Sequence, residues 1–592
     1  MTTDFIHPAA IMMVGAFALP LFRGPLRRPY LVAVPFLAFM SVLFMKEGVY
    51  GVFQFMDWHL VFGRVDRLSN VFGYIMTLMA IIGTIYGLHV KEDAQHIAAW
   101  LYVAGSLGVI YCGDFLVLFL FWEIMAFSSV FLVWFRRRKG SLETGYRYLL
   151  VHTAGGLALL AGFVLRYQAT GGDLSFVQLN VDSPELYTYL IMIGFILNAA
   201  VPPFHAWLPD AYGEATVGGA VFMCAFTTKT AVYALARGVA GMDILVPLGV
   251  FMALYGVVYA VLENDARRLL AYHIISQVGY MVAGVGIGTQ MAINGACAHA
   301  FAHILYKGLL FMGCGSVLYM TGKSKFSELG GLYKKMPWAF VYTMIGGLSI
   351  SAFPLFSGFV SKSMIVAAGF KDHMMWPAFL LTLASAGTFL HTGLKVPYFI
   401  WFGKNNCSKE TWEKAADPPA NMHVAMAAAS FMCIFIGCYT PYLYNLLPYP
   451  VDYHPYSAYH LSESLQILLW TALGFFLLIK KLAPEPTISI DMDWFYRMGG
   501  RMFLWLAKKP LQWLDNGVSE AYRALGLKPL MVFSKFWSWF DWHGIDGVVD
   551  GTAKTVRSIG GVTRRLQSGQ MQYNIFYAVS IVAVLLVAYV LS

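Results

Sequence analysis

The sequence predicts an all-α polytopic membrane protein with about 14–16 transmembrane helices. Of its 592 residues, 58% are hydrophobic and only 12% charged. Soluble chains lie nearer 45–50% and about 25%, so one water-facing domain would lack surface charge. Apolar runs of about 20 residues recur along the whole length, each long enough to cross roughly 30 Å of hydrocarbon. No GxGxxG after a strand, Walker motif or strand-rich stretch interrupts them.

Taken in order, the spans are expected near 5–23, 29–46, 69–90, 96–112, 113–135, 144–167, 184–208 and 215–240. A second series follows near 243–262, 268–288, 291–319, 337–360, 375–402, 422–446, 460–479 and 572–591. The opening MTTDF is acidic and lacks a basic n-region, so the first run is expected to remain as a spanning helix. Residues 482–570 are different. They interleave Trp494, Trp505, Trp513, Trp537, Trp539 and Trp542 with Lys and Arg, as an interfacial or lateral helix would.

Net charge is +9, yet the basic residues sit in short loops, where they report orientation rather than nucleic-acid binding. With the N-terminus outside, Arg27–Arg28, Arg136–Lys139, Arg267–Arg268, Lys323–Lys335, Lys480–Lys481 and Arg564–Arg565 all fall on the inner side. Both termini are then expected outside. The seven cysteines form no CxxC pair, so neither zinc nor iron–sulfur spacing is present, and no cofactor is expected.

An ionisable residue inside a span costs about 2.5–3.5 kcal/mol and marks a functional site by default. Glu123 lies in FLVLFLFWEIMAF, and Lys229, in FTTKTAVYALA, is a candidate partner for it. His299, His303 and Lys307 recur every fourth residue in HAFAHILYK and so share one helix face. An HxxxH pair can grip a metal, but no carboxylate or Cys in the segment completes a ligand set. Imidazoles that titrate near neutrality, in file with a buried Lys, fit a proton relay better. Pro202–Pro203 and Pro354 interrupt two further spans, flanked by Asn198 and His205 and by Ser357 and Lys362. Such breaks are tolerated only against protein or a water-filled cavity, and paired breaks mark repeated transporter architecture.

In their order, FWEIM, AWLPDAY, ENDARRLLAYHIISQVGYM, HAFAHILYKGLLFMGCGSV and LSISAFPLFSGFVSK resemble the antiporter-like membrane subunits of respiratory complex I and of Mrp-type Na⁺/H⁺ antiporters. The likeness runs over about residues 65–405, and the core is most similar to the D component of Mrp antiporters. The end, IDGVVDGTAKTVRSIGGVTRRLQSGQMQYNIFYA, resembles the tail of the longest complex I subunit of this kind, where a lateral helix precedes a last span.

The resemblance implies two inverted five-helix repeats with broken helices, and a proton pathway of Glu123, His299, His303, Lys307 and Lys362. Where the family has a lysine before the first break, this chain has Asn198, which leaves Lys229 to take its place. The turn after LPDAY also departs, reading GEATVGGA, and Arg267 and His273 stand where Lys and Ser are common. Asn198, His205, Asp265, Arg267 and His273 are therefore modulating candidates.

The domains expected are 1–95 (N-terminal spans), 96–405 (the translocating core), 406–481 (further spans), 482–570 (lateral segment) and 571–592 (last anchor). The function expected is proton translocation, with Na⁺ the candidate counter-ion, beside other membrane subunits in a bacterial or archaeal inner membrane. Two rivals stand beside this antiporter reading. One is a subunit of a complex I-like or hydrogenase-type redox pump, its redox centres on other chains. The other is a structural subunit, or membrane partner of an inorganic-carbon uptake system, with a degenerate first channel.

Overall fold

A computed structural model describes residues 6–486, 490–566 and 569–592. Apolar helices dominate it, and each of the sixteen expected segments carries one. The first are α1 (Pro8–Ala18), α2 (Arg27–Phe44), α3 (Arg67–Tyr86), α4 (Asp93–Tyr111), α5 (Phe115–Trp134) and α6 (Lys139–Ala169). Then come α7 (Leu186–Asn198), α8 (Trp207–Glu214), α9 (Val217–Ala225), α10 (Thr227–Gly238), α11 (Leu245–Leu262), α12 (Ala266–Ile287) and α13 (Gln290–Thr321). After these lie α14 (Pro337–Ile350), α15 (Ser357–Lys371), α16 (Met375–Thr388), the short α17 (Lys409–Lys414), α18 (Ala420–Cys438), the short α19 (Pro441–Tyr444) and α20 (Ala458–Leu478).

Both proline breaks are present and share one backbone device. α7 ends at Asn198, and Ala200 turns left-handed (φ 61°) two residues before Pro202. Likewise α14 ends at Ile350, and Ala352 turns left-handed (φ 58°) two residues before Pro354. An L-residue there is strained, and such strain persists where the surroundings over-determine it. A third interruption, at Phe226 between α9 and α10, has no proline and was not expected from the sequence.

The helices carrying Lys229, His273 and the His299–Lys307 file are the most enclosed. Over the most apolar window of each, α9–α10, α12 and α13 are wholly buried, whereas the outer helix α20 is only 11% buried. At 32 residues α13 runs roughly 48 Å, well beyond a 30 Å hydrocarbon core.

One small element stands beside the helices without altering the all-α class. β1 (Gly48–Phe55) and β2 (Trp58–Val65) form an antiparallel hairpin, with Phe55 opposite Trp58 around a tight Met56–Asp57 turn. Its alternation is masked in the sequence because apolar residues occupy both faces. The Val61 carbonyl accepts from Gly113 N–H, and its own N–H donates to Asp114 Oδ2 (2.6 Å), which pins the hairpin to the α4–α5 turn.

At one end of this bundle the basic loops meet. Arg136 and Arg267 both donate to the Gly213 carbonyl, and Arg147 and Arg268 both pair with Asp210. Nearby loops are tied by Arg27 to Asp93 and by Arg137 to Glu92.

Residues Met1–Asp493 form one unit and Trp494–Ser592 a second. In the second, α21 (Asp493–Leu506), α22 (Gln512–Tyr522), α23 (Lys528–Phe540) and α24 (Asp546–Arg565) follow end to end through wider π turns. They make a strongly amphipathic rod of roughly 110 Å. The last span is α25 (Met571–Leu591). The expected lateral segment 482–570 includes 487–489 and 567–568, which lie outside the described residues.

Candidate functional site

The file on α13 is fully buried. His299, His303 and Lys307 have no exposed surface. Lys307 Nζ lies 3.1 Å from His273 Nδ1 on α12, so His273 joins the file directly. Beyond it the His273 and His391 rings meet edge-on at 4.8 Å, and His391 Nδ1 bonds Thr392 Oγ1 at 2.8 Å. Lys395, one turn further along the π stretch after α16, donates to the Val261 and Glu263 carbonyls at 2.5 and 2.9 Å.

In the other direction His303 stands 6.1 Å from His299 between ring centres. Both ring nitrogens of His303 are buried without a protein partner, whereas His299 touches Gln277 and Ser361 at 3.2 Å each. The next residue after Ser361 is Lys362, which caps the Ile350 carbonyl (3.1 Å) freed by the second break and lies 5.4 Å from the Tyr280 ring centre. Lys362 also lines a small cavity of about 70 Å³ with Ser385, His460 and Glu463.

These lysines meet carbonyls rather than carboxylates. Lys229 Nζ donates to the Cys224 carbonyl at 2.6 Å, the group released by the interruption at Phe226, and to Thr228 Oγ1 at 3.0 Å. Among the described residues, no ion pair joins Lys229, Lys307, Lys362 or Lys395 to any acid, so the expected Glu123–Lys229 contact is not made. Freed carbonyls at helix C-termini carry partial negative charge, which supports an ammonium there without neutralising it. Such a lysine can hold a proton and release it, because no full counter-charge locks it in place.

Glu123 lies on α5 against α6. A Cβ built on Gly156 would collide with Glu123 Oε1, so the carboxylate rests on bare α6 backbone. That oxygen has no protein partner. One turn back on α6, His152 bonds Asn198 Oδ1 through Nδ1 at 2.8 Å and is boxed by Tyr148 (4.1 Å) and Trp207 (4.5 Å) between ring centres. Trp207 Nε1 donates to the Leu197 carbonyl (3.1 Å) at the first break, a neutral counterpart of the Lys362 contact at the second.

His205, in the first break, does not face this cluster. Its Nε2 donates to Asp491, at 3.1 Å to Oδ1. Tyr272 donates to the other oxygen at 2.5 Å, and Tyr255 donates to Oδ1. Asp491 sits on the link between α20 and α21, outside the spans. Burial pushes its carboxyl up, but the bonds from His205, Tyr255 and Tyr272 outweigh this and hold it well below the usual carboxylate range.

Asp265 and Arg267 have structural partners. Asp265 caps α12 through the Arg267 and Arg268 N–H groups, and Arg267 gathers the Gly213, Ala215 and Thr216 carbonyls. His152, His391, Lys395 and Asp491 are the residues that sequence reasoning missed. Among the described residues, no group of three or more His, Cys, Asp or Glu is arranged to hold a metal ion.

A buried file of titratable groups thus lies beside the second of two broken helices in this polytopic membrane protein. Residues 112–389 match the NADH:quinone oxidoreductase/Mrp antiporter transmembrane family. It is 27% identical to Na⁺/H⁺ antiporter subunit A1 of Staphylococcus haemolyticus, across 68% of this chain and 57% of that one. It is 28% identical to hydrogenase-4 component B of Escherichia coli, across 65% and 63%. The chain thus spans about three fifths of the length of these curated relatives. A chain in the structure of the Mrp complex from Dietzia sp. DQ12-45-1b superposes with a TM-score of 0.73 at 24% identity, across 88% of this chain and 62% of that one, a likeness of fold.

Proposed function

We propose that the chain is a proton-translocating membrane subunit of a multisubunit complex. What carries the reading is the run Lys362–His299–His303–Lys307–His273–His391–Lys395, every member of which is buried. Protons move along it by successive transfers, with water bridging the longer gap beside His303. Lys307 at the centre stores the proton, and the carbonyl-held lysines at either end exchange it. Lys229, one turn past a freed carbonyl, biases Lys307 by its own charge, and Glu123 responds in the first half.

Each proton raised against the membrane potential costs about 2.3 kcal/mol per 100 mV. Partner subunits supply that energy, from an opposing Na⁺ gradient or from redox chemistry. The long amphipathic rod 493–565 favours the redox-driven alternative, because it suits contact along a row of neighbouring subunits. The basic end faces the cytoplasm of a bacterial or archaeal cell, in keeping with the positive-inside rule.

The test is Lys307→Ala in vesicles of the intact complex, read by a pH-sensitive dye. Loss of translocation with assembly retained is expected. Native-rate pumping overturns the reading.

A further inference from the structure

We infer that His152 is the proton partner of Glu123, filling the role that Asn198 cannot; this rests on the proton-translocation reading above. Asn198 ends α7 with an amide that carries no exchangeable charge. Yet its oxygen is not idle. Asn198 Oδ1 accepts from His152 Nδ1 at 2.8 Å. With the amide so oriented, the neutral imidazole bears its proton on Nδ1 and leaves Nε2 bare. That Nε2 is fully buried and has no protein partner.

Glu123 supplies the other side of the exchange. Its Oε1 is likewise buried without a partner and lies over Gly156. Positions 152 and 156 stack on one face of α6, about 6 Å apart. The carboxyl over Gly156 therefore lies about one helical turn from the imidazole, which Tyr148 and Trp207 box, and water would bridge the two.

The step balances within the pair. The Glu123 O–H bond breaks, a proton reaches Nε2 through water, and an imidazolium–carboxylate pair replaces two neutral groups. Net charge of the pair is zero before and after, so transfer avoids the several kcal/mol that burying a lone ion costs. A lysine at 198 would achieve the same from α7, whereas here the cation forms on α6 and Asn198 positions it. The titratable group against the imidazole is Tyr148 on its own helix, and Glu123 from α5 lies about a turn away over Gly156. α7 offers only the amide of Asn198, and α8 the indole of Trp207.

The experiment uses the intact complex in vesicles, with Lys307→Ala as the reference for the general reading. His152→Gln keeps an amide near Asn198 but cannot carry a proton, and should lower proton translocation at least tenfold. Adding Asn198→Lys to His152→Gln should restore it to within about threefold of native. Native translocation in His152→Gln, beside a dead Lys307→Ala, overturns the His152 assignment alone. A native rate in Lys307→Ala overturns the translocation reading itself.

Asn198→Asp, isosteric with the native residue, covers a failure of His152→Gln to assemble. A carboxylate there stabilises the imidazolium, so the pH profile of translocation should move to the alkaline side by about one pH unit. An unmoved profile overturns the proposal.

Discussion

The two broken helices use the same backbone turn and finish it with different chemistry. At the second break a lysine, Lys362, holds the freed carbonyl and opens onto a file of four histidines and two more lysines. At the first break an indole, Trp207, holds the freed carbonyl; His152 bonds Asn198 there, and His205 turns away to Asp491. The second half thus has titratable groups along its length, whereas the first has His152 and Glu123 about a helical turn apart. What differs between them is the side chain offered to the carbonyl, since Ala200 and Ala352 both adopt the left-handed turn.

The link between the halves should break most sharply at Lys229 and Glu123. Lys229→Met removes a cation from a buried carbonyl, and should depress translocation at least as strongly as Glu123→Gln, by tenfold or more. A near-native rate in Lys229→Met would separate Lys229 from the pathway.

Lys395→Met should come next, several-fold down, because it removes the terminal exchange group at the Glu263 end. Initial rates under opposite proton gradients would show whether the loss is direction-dependent.

Gly156→Ala should have a smaller effect. Its new methyl would displace the Glu123 carboxylate, lowering translocation a few-fold while leaving Lys307-dependent exchange in place.

Asp491→Asn should change stability more than transport, by about 1–3 kcal/mol, since three buried donors lose a charged acceptor. The pH dependence follows from its lowered pKa. A carboxyl lowered in the fold stabilises at neutral pH, and that contribution is lost as pH falls through and below about 4. Native and Asp491→Asn complexes should therefore differ in thermal stability at pH 7 and converge in acid. A constant difference would show that ionised Asp491 is not the stabilising species.

Much of this was legible in the sequence. Glu123, Lys229 and Lys307 declare themselves because a charge in an apolar run requires a buried partner or a task. The breaks were legible because Pro202–Pro203 and Pro354 fall within apolar runs beside polar residues, where proline removes a helix hydrogen bond. Other features gave no local signal. Lys395 stands near the expected end of a span, where a basic residue ordinarily reaches for the interface, and only the fold turns it inward. His152 is a lone histidine, indistinguishable by pattern from a core residue until Asn198 is found beside it. Asp491 meets His205 across 286 positions, a contact that no periodicity encodes. The interruption at Phe226 carries no proline to announce it, and the Lys229 side chain takes the freed Cys224 carbonyl there.

The central claim is that the continuous file belongs to the second half and the first half contributes a gating pair. Proton flux measured side by side in vesicles carrying Lys307→Ala or Glu123→Gln tests it most directly. No flux above leak is expected with Lys307→Ala, and a slow residual flux with Glu123→Gln. Residual flux in Lys307→Ala with none in Glu123→Gln would contradict it.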